Sequence, residues 1–234
     1  MSSLQQAISF LSGTGMLIAL AVFVLGCLFH VIRYIGGLDA KKDRVAYGYH
    51  ADRSVPGIFA SIFKWLLPCA TAGWRSAPLT TFIFFCMHAG CVLVPLFVAG
   101  HVVLLKSAIG IEAGLPMLPL AVADVLAAVT IAGVLICAVR RLVSPFQKAL
   151  TSGADWLILF LTGAPFVSGF LVRVCCPDSA ELMLVHLVCG NLFLLLAPFT
   201  KLSHIVLFFM SRAQLGMEYA IKRGGQTRGG VFDW

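Results

Sequence analysis

The chain has 234 residues, 60% of them apolar and only 12% charged, against about 45–50% apolar and ~25% charged in a soluble domain. That balance excludes a soluble catalytic domain, a disulfide-stapled secreted domain and a disordered tail of any size. The formal charge of +7 raises nucleic acid as a partner, but no aromatic-interleaved basic groove accompanies it, so no nucleic acid is expected.

Five stretches are almost free of charge: residues 11–32, 76–105, 115–139, 156–172 and 182–200. Each is near or above the ~17–25 residues that cross a hydrocarbon core about 30 Å thick. None alternates apolar with polar positions as a barrel strand would, so the spans are helices. The expected fold is an all-α membrane bundle of five transmembrane helices, a single domain over residues 1–234. Helix one has no Lys or Arg ahead of it and runs on past Cys27, so it reads as a retained helix rather than a secretory signal. Gly36-Gly37 is its expected stop.

A loop over residues 36–77 follows. Within it Ile58, Phe59, Ile62, Phe63 and Leu66 fall on one helical face before Pro68. This segment is too short to cross the bilayer. It either lies in the interface plane or covers the inner ends of the spans as a packed helix. Loops 106–116 and 173–181 lie on one side of the membrane and loop 140–155 on the other, and helix five continues to about Ala220.

Topology explains the positive charge. Of the 17 Lys and Arg, all but Lys106 and Arg173 fall on the side opposite the N-terminus. Because basic flanks are retained in the cytoplasm, the N-terminus is expected outside and the C-terminus, with tail 213–234, in the cytoplasm of a bacterium whose inner membrane holds the chain. The tail ends in Phe232 and Trp234 after a Gly-rich stretch, a pattern that suits docking on a cytoplasmic partner. The eight cysteines form no CxxC, which argues against an iron–sulfur cluster or covalently attached haem in this chain.

Histidines are the costly polar groups here. His88 and His101 lie on helix two, and His186 and His204 on helix five. The helices run in opposite directions, so His88 shares the inner level with His204, and His101 shares the outer level with His186. Two imidazoles from facing helices at each level can ligate a haem iron on both faces. The 18 residues from His186 to His204 make five whole turns of an unbroken helix, about 27 Å. The 13 residues from His88 to His101 leave the pair off-register by roughly 140°, and Pro95 is the expected device that corrects it. Satisfied packing histidines are the alternative.

Two motifs then carry a resemblance. Arg140-Arg141-Leu142-Val143-Ser144-Pro145 with Thr151-Ser152-Gly153-Ala154-Asp155, and His186-Leu187-Val188 with Phe193 through His204, are similar to the gamma subunit of respiratory nitrate reductase. The resemblance covers most of the chain. It implies five helices, an outside N-terminus and two b-type haems, with His88 and His204 on the inner haem and His101 and His186 on the outer one. Two departures stand out. The helix-two histidines are about one turn further apart than in that enzyme, and its quinol-site lysine has no counterpart, Met117 or a neighbour occupying the place. These features are more similar to the cytochrome b relatives in the Hmc and Tmc redox complexes of sulfate reducers. That branch implies a cytoplasmic iron–sulfur partner resembling a heterodisulfide reductase subunit, where the nitrate enzyme would imply a nitrate reductase beta-like one.

Asp124, an acid inside a span, is the candidate acceptor of a quinol proton; pairing with Lys106, Arg173 or a helix terminus is the alternative. Arg140 and Arg141 near the inner haem and Arg173 near the outer one are candidate partners for haem propionates. The expected function is an electron-transfer subunit, possessing quinol dehydrogenase activity if it oxidises menaquinol directly. It would link menaquinone or an outer multihaem cytochrome c to the cytoplasmic iron–sulfur subunit. A haem-free anchor or a transporter with structural or proton-relay histidines is the competing class; a transporter would show broken helices and internal symmetry, neither of which the sequence shows.

Overall fold

The computed structural model describes residues 2–38, 52, 54–110 and 116–222. Among these residues 89% are helical and none lies in a strand. Five helices are long and apolar enough to cross a membrane, over Ser3–Leu38, Pro78–Phe97, Leu120–Val143, Gly153–Cys175 and Ala180–Phe199. The chain is therefore a multi-pass membrane protein.

In chain order the helices are α1 (Ser3–Ser12), α2 (Thr14–Leu38), α3 (Ser54–Leu66), α4 (Ala72–Ser76), α5 (Pro78–Phe97), α6 (Ala99–Ile109), α7 (Leu120–Val143), α8 (Pro145–Leu150), α9 (Gly153–Phe170), α10 (Ala180–Leu196) and α11 (His204–Lys222). A π-helical turn, Leu171–Cys175, extends α9, and two 3-10 turns, Ala197–Phe199 and Lys201–Ser203, separate α10 from α11. The chain divides into two compact units. One holds Met1–Val24 and Ile83–Thr200, the other Leu25–Phe82 and Lys201–Trp234.

Helix ends follow local chemistry. Helix one starts at Ser3, well before its charge-free core, because the Ser2 hydroxyl accepts from Gln5 N at 3.3 Å while Ser2 N donates to Gln5 Oε1 at 3.2 Å, a reciprocal cap. It breaks at Gly13 (φ −104°, ψ −105°). Gly36 and Gly37 do not stop it; Gly110 is the one glycine of positive φ among the described residues, so neither supplies the left-handed cap that a glycine stop uses. Helix α9 begins where Ser152 N and Oγ both donate to Asp155 Oδ2, at 2.9 and 2.7 Å.

In the first unit α9 packs against α7 and α10, and α1 against α10. Small residues set these approaches. A Cβ at Gly90 of α5 would land on the Thr130 hydroxyl of α7, and one at Gly163 of α9 would stand 3.0 Å from Val134. Without water to drive association, such close backbone packing is what holds membrane helices together. Asn191, buried on α10, donates to Leu187 O at 2.8 Å and across to Leu11 O at 3.2 Å. That bond satisfies a carbonyl beside the Gly13 break.

In the second unit α3 lies along α11. A Cβ at Gly57 would strike Gly216 O and Ala220 Cβ, and one at Gly216 would strike Gly57 O and Ser61. Gly57 with Ser61, and Gly216 with Ala220, are each four apart, so two small-residue ridges meet face to face. Arg212 caps the contact 4.7 Å over the Trp65 ring. Segment 54–66 is thus a helix packed along α11. Phe59 and Phe63 stack with each other and remain exposed.

Candidate functional site

The site is built around two helix irregularities in the first unit. Pro95 has no N–H to give its own helix. Helix α5 ends two residues later, and Val98 takes an extended conformation (φ −69°, ψ 136°) before α6 begins. His101, in the first turn of α6, places its Nδ1 3.0 Å from the Pro95 carbonyl. On α10, His186 reaches across to α9, where its Nδ1 lies 3.1 Å from the Pro165 carbonyl and 3.3 Å from the Ser168 hydroxyl. Gly169 makes room for it: a Cβ there would stand 2.8 Å from His186 Cε1. The two imidazoles lie parallel within 5°, their centroids 5.8 Å apart.

The hydrogen bonds fix the tautomer. A carbonyl oxygen only accepts, so Nδ1 carries a hydrogen on both rings, and in the neutral imidazole Nε2 keeps its lone pair. The Ser168 hydroxyl agrees, since it donates to Ala164 O at 2.7 Å and so receives from His186. His88 and His204 repeat the pattern. The His88 Nδ1 meets Phe84 O at 2.7 Å, and the His204 Nδ1 meets Lys201 O at 2.9 Å. All four histidines thus have Nδ1 anchored to a backbone carbonyl, as metal-ligating histidines anchor the ring nitrogen that does not bind the metal.

Do these residues fit a haem? An iron between two imidazoles holds the ring centroids about 6 Å apart, given metal–nitrogen bonds of about 2 Å. The rings are stacked with centroids 5.8 Å apart, within that range and equally within the range of an offset stack. One turn from His186, a Cβ at Gly190 would meet nothing within 4 Å. Among the described residues no three His, Cys, Asp or Glu gather as a metal site; axial ligation of a haem asks for only two. The residues fit the group.

The paired-helix arithmetic requires correction. His101 is not on the same helix as His88, and the break at Val98 follows Pro95 rather than coinciding with it. His186 and His204 do not share an unbroken helix either. Pro198 and the extended Thr200 interrupt it with two 3-10 turns, and His204 is the first residue of α11. The five-turn alignment of those two residues therefore does not apply.

Asp124 meets Arg173, with Oδ2 to Nη2 at 3.7 Å and side chains 33% and 48% exposed. Of the alternatives weighed for it, the Arg173 pairing is realised. Arg140 lies 5.7 Å over the Phe84 ring, and Arg141 donates to Thr151 Oγ1 at 3.4 Å. Both line an open groove of about 250 Å³ with Gln147 and Asp155. Phe84 links this groove to His88, whose Nδ1 its carbonyl accepts. Tail residues 223–234 lie outside the described residues.

Ser168, Gly169 and the Pro165 carbonyl had no place in the sequence reading. They support a histidine about twenty positions away on another helix, and only Pro165 carries a local signal.

No family model matches the chain. It is 51% identical over 226 residues to a protein of Nitratidesulfovibrio vulgaris (strain Hildenborough) described simply as "Protein", spanning 97% of this chain and 99% of that one. The chain belongs to that protein's family.

Proposed function

We propose that the chain is the cytochrome b subunit of a membrane redox complex of the nitrate reductase gamma-like kind, closest to the Hmc and Tmc branch. In this reading it carries electrons across a bacterial inner membrane on two b-type haems. The haems connect menaquinone or an outer cytochrome c to a cytoplasmic iron–sulfur subunit. The observation that supports it most is the His101–His186 pair, parallel at 5.8 Å with both Nδ1 atoms tied to backbone carbonyls. His101 and His186 would hold one haem, and His88 and His204 the other. A haem iron with two imidazole ligands supplies reversible one-electron transfer when bound. Arg140 and Arg141 are the candidate partners for propionates at one level and Arg173 at the other, while Asp124 would take a proton released from quinol.

Broken helices also suit a transporter, whose half-helix ends bind substrate ions. Here four of the carbonyls at the breaks have partners. Pro95 O meets His101, Phe97 O accepts from Leu118 N at 2.8 Å, Leu11 O accepts from Asn191 and Lys201 O meets His204. This favours the haem reading. The test is haem quantitation of the purified chain, with two b-type haems per chain expected. His204→Ala should remove one haem and leave the other. A count of none or one in the wild type defeats the proposal, and survival of both haems in the variant defeats the assignment of His204.

A further inference from the structure

We propose that a groove between the end of α2 and α11 binds the phosphate of an anionic phospholipid. Helix α2 is apolar for most of its length and then places His30, Arg33, Tyr34 and Gly37 at intervals of three, four and seven, on one face. On α11, Leu207 and Gln214 are seven apart and so also share a face. These residues line an open groove of about 320 Å³, where the charge-free stretch of helix one gives way to Arg33.

The polar wall is prearranged. The Tyr34 hydroxyl donates to Gln214 Oε1, and Gln214 Nε2 donates to Glu218 Oε1 at 2.9 Å. This chain of bonds engages the Glu218 carboxylate one turn beyond the groove. Arg33 gives the groove its positive charge, and its planar fork suits a phosphodiester. Around it the lipid-facing side chains Phe29, Ile32 and Ile35 are exposed, and Leu207 extends the apolar lip, so an acyl chain has a continuous path away from the headgroup. A basic pocket between membrane helices is a recognised form of anionic lipid site. A choline headgroup would bring a second cation to Arg33, which is why the anionic lipid is preferred.

Gly37 supplies a clean probe. A Cβ there meets nothing within 4 Å, so Gly37→Leu fills the groove without displacing a neighbour, and leucine also favours the helix. The full chain, reconstituted in phosphatidylcholine vesicles, would be presented with spin-labelled phosphatidylglycerol or spin-labelled phosphatidylcholine. The expected result is a preference for phosphatidylglycerol of about fivefold, the factor that one arginine near an anionic surface gives. Arg33→Gln and Gly37→Leu should each bring the two lipids to parity. Parity in the wild type overturns the proposal, as does a preference that both variants retain. Loss of the preference with excess inorganic phosphate, but not with chloride of equal ionic strength, would overturn the lipid assignment and make the groove a site for free phosphate.

Discussion

Gly169→Ala isolates the support of one histidine. The added methyl would stand 2.8 Å from His186 Cε1 and 3.1 Å from Nδ1, where carbon atoms prefer about 3.5–4.0 Å. The ring must retreat by roughly 0.7 Å or more. Its bond to Pro165 O, already 3.1 Å, then passes out of hydrogen-bonding range. A lost buried hydrogen bond costs about 1–3 kcal/mol, and losing such an outer contact typically weakens a metal site about 10- to 100-fold. Alanine in place of glycine gains about 0.8–1.0 kcal/mol of helix propensity, so the fold itself is expected to stay near its original stability while the site suffers. The assay is haem content with a redox-titrated visible spectrum. One haem should be lost or shifted, and thermal unfolding followed by circular dichroism should move little. Full haem content with an unaltered spectrum would refute the claim that His186 is held where Gly169 admits it.

Two further changes probe other contacts. Asp124→Asn removes a half-exposed ion pair, so stability should fall by less than about 1 kcal/mol, while reduction of the haems by a menaquinol analogue in stopped flow should slow several-fold; an unchanged rate would leave Asp124 as no more than the Arg173 partner. Gly216→Val forces a side chain into the Gly57 carbonyl and Ser61, an overpacking cost of about 1–3 kcal/mol, and should speed amide hydrogen exchange over residues 54–66 without altering haem content. Unchanged exchange would mean that α3 and α11 are not packed through these small residues.

The spans were legible because charge is so costly in a bilayer that five uncharged runs have few other uses. Their breaks were less legible. Pro95 announced an irregularity, yet the interruption falls at Val98, since a proline disturbs the turn around it rather than cutting at its own position. Pro198 gave the same warning, and counting residues from His186 to His204 as one helix passed over it. Ser2 with Gln5 and Ser152 with Asp155 are capping patterns that hydropathy alone does not register, which is why α1 and α9 begin several residues before their expected starts. The four histidines were visible as expensive residues. Their anchoring carbonyls were not, because any residue offers a carbonyl and only the folded backbone decides which one is spare.

Those anchored nitrogens bear on protons as well as on metals. For an imidazole to pass a proton along a wire it must receive at one nitrogen and release from the other, then turn over for the next. At His88, His101, His186 and His204 the releasing nitrogen points at an amide carbonyl, far too weak a base to carry the proton onward. Rotating the ring would break a bond that its surroundings have little water to replace. Rings anchored this way suit a fixed post better than a turning relay, and in the proposed function the protons fall to other groups, Asp124 among them.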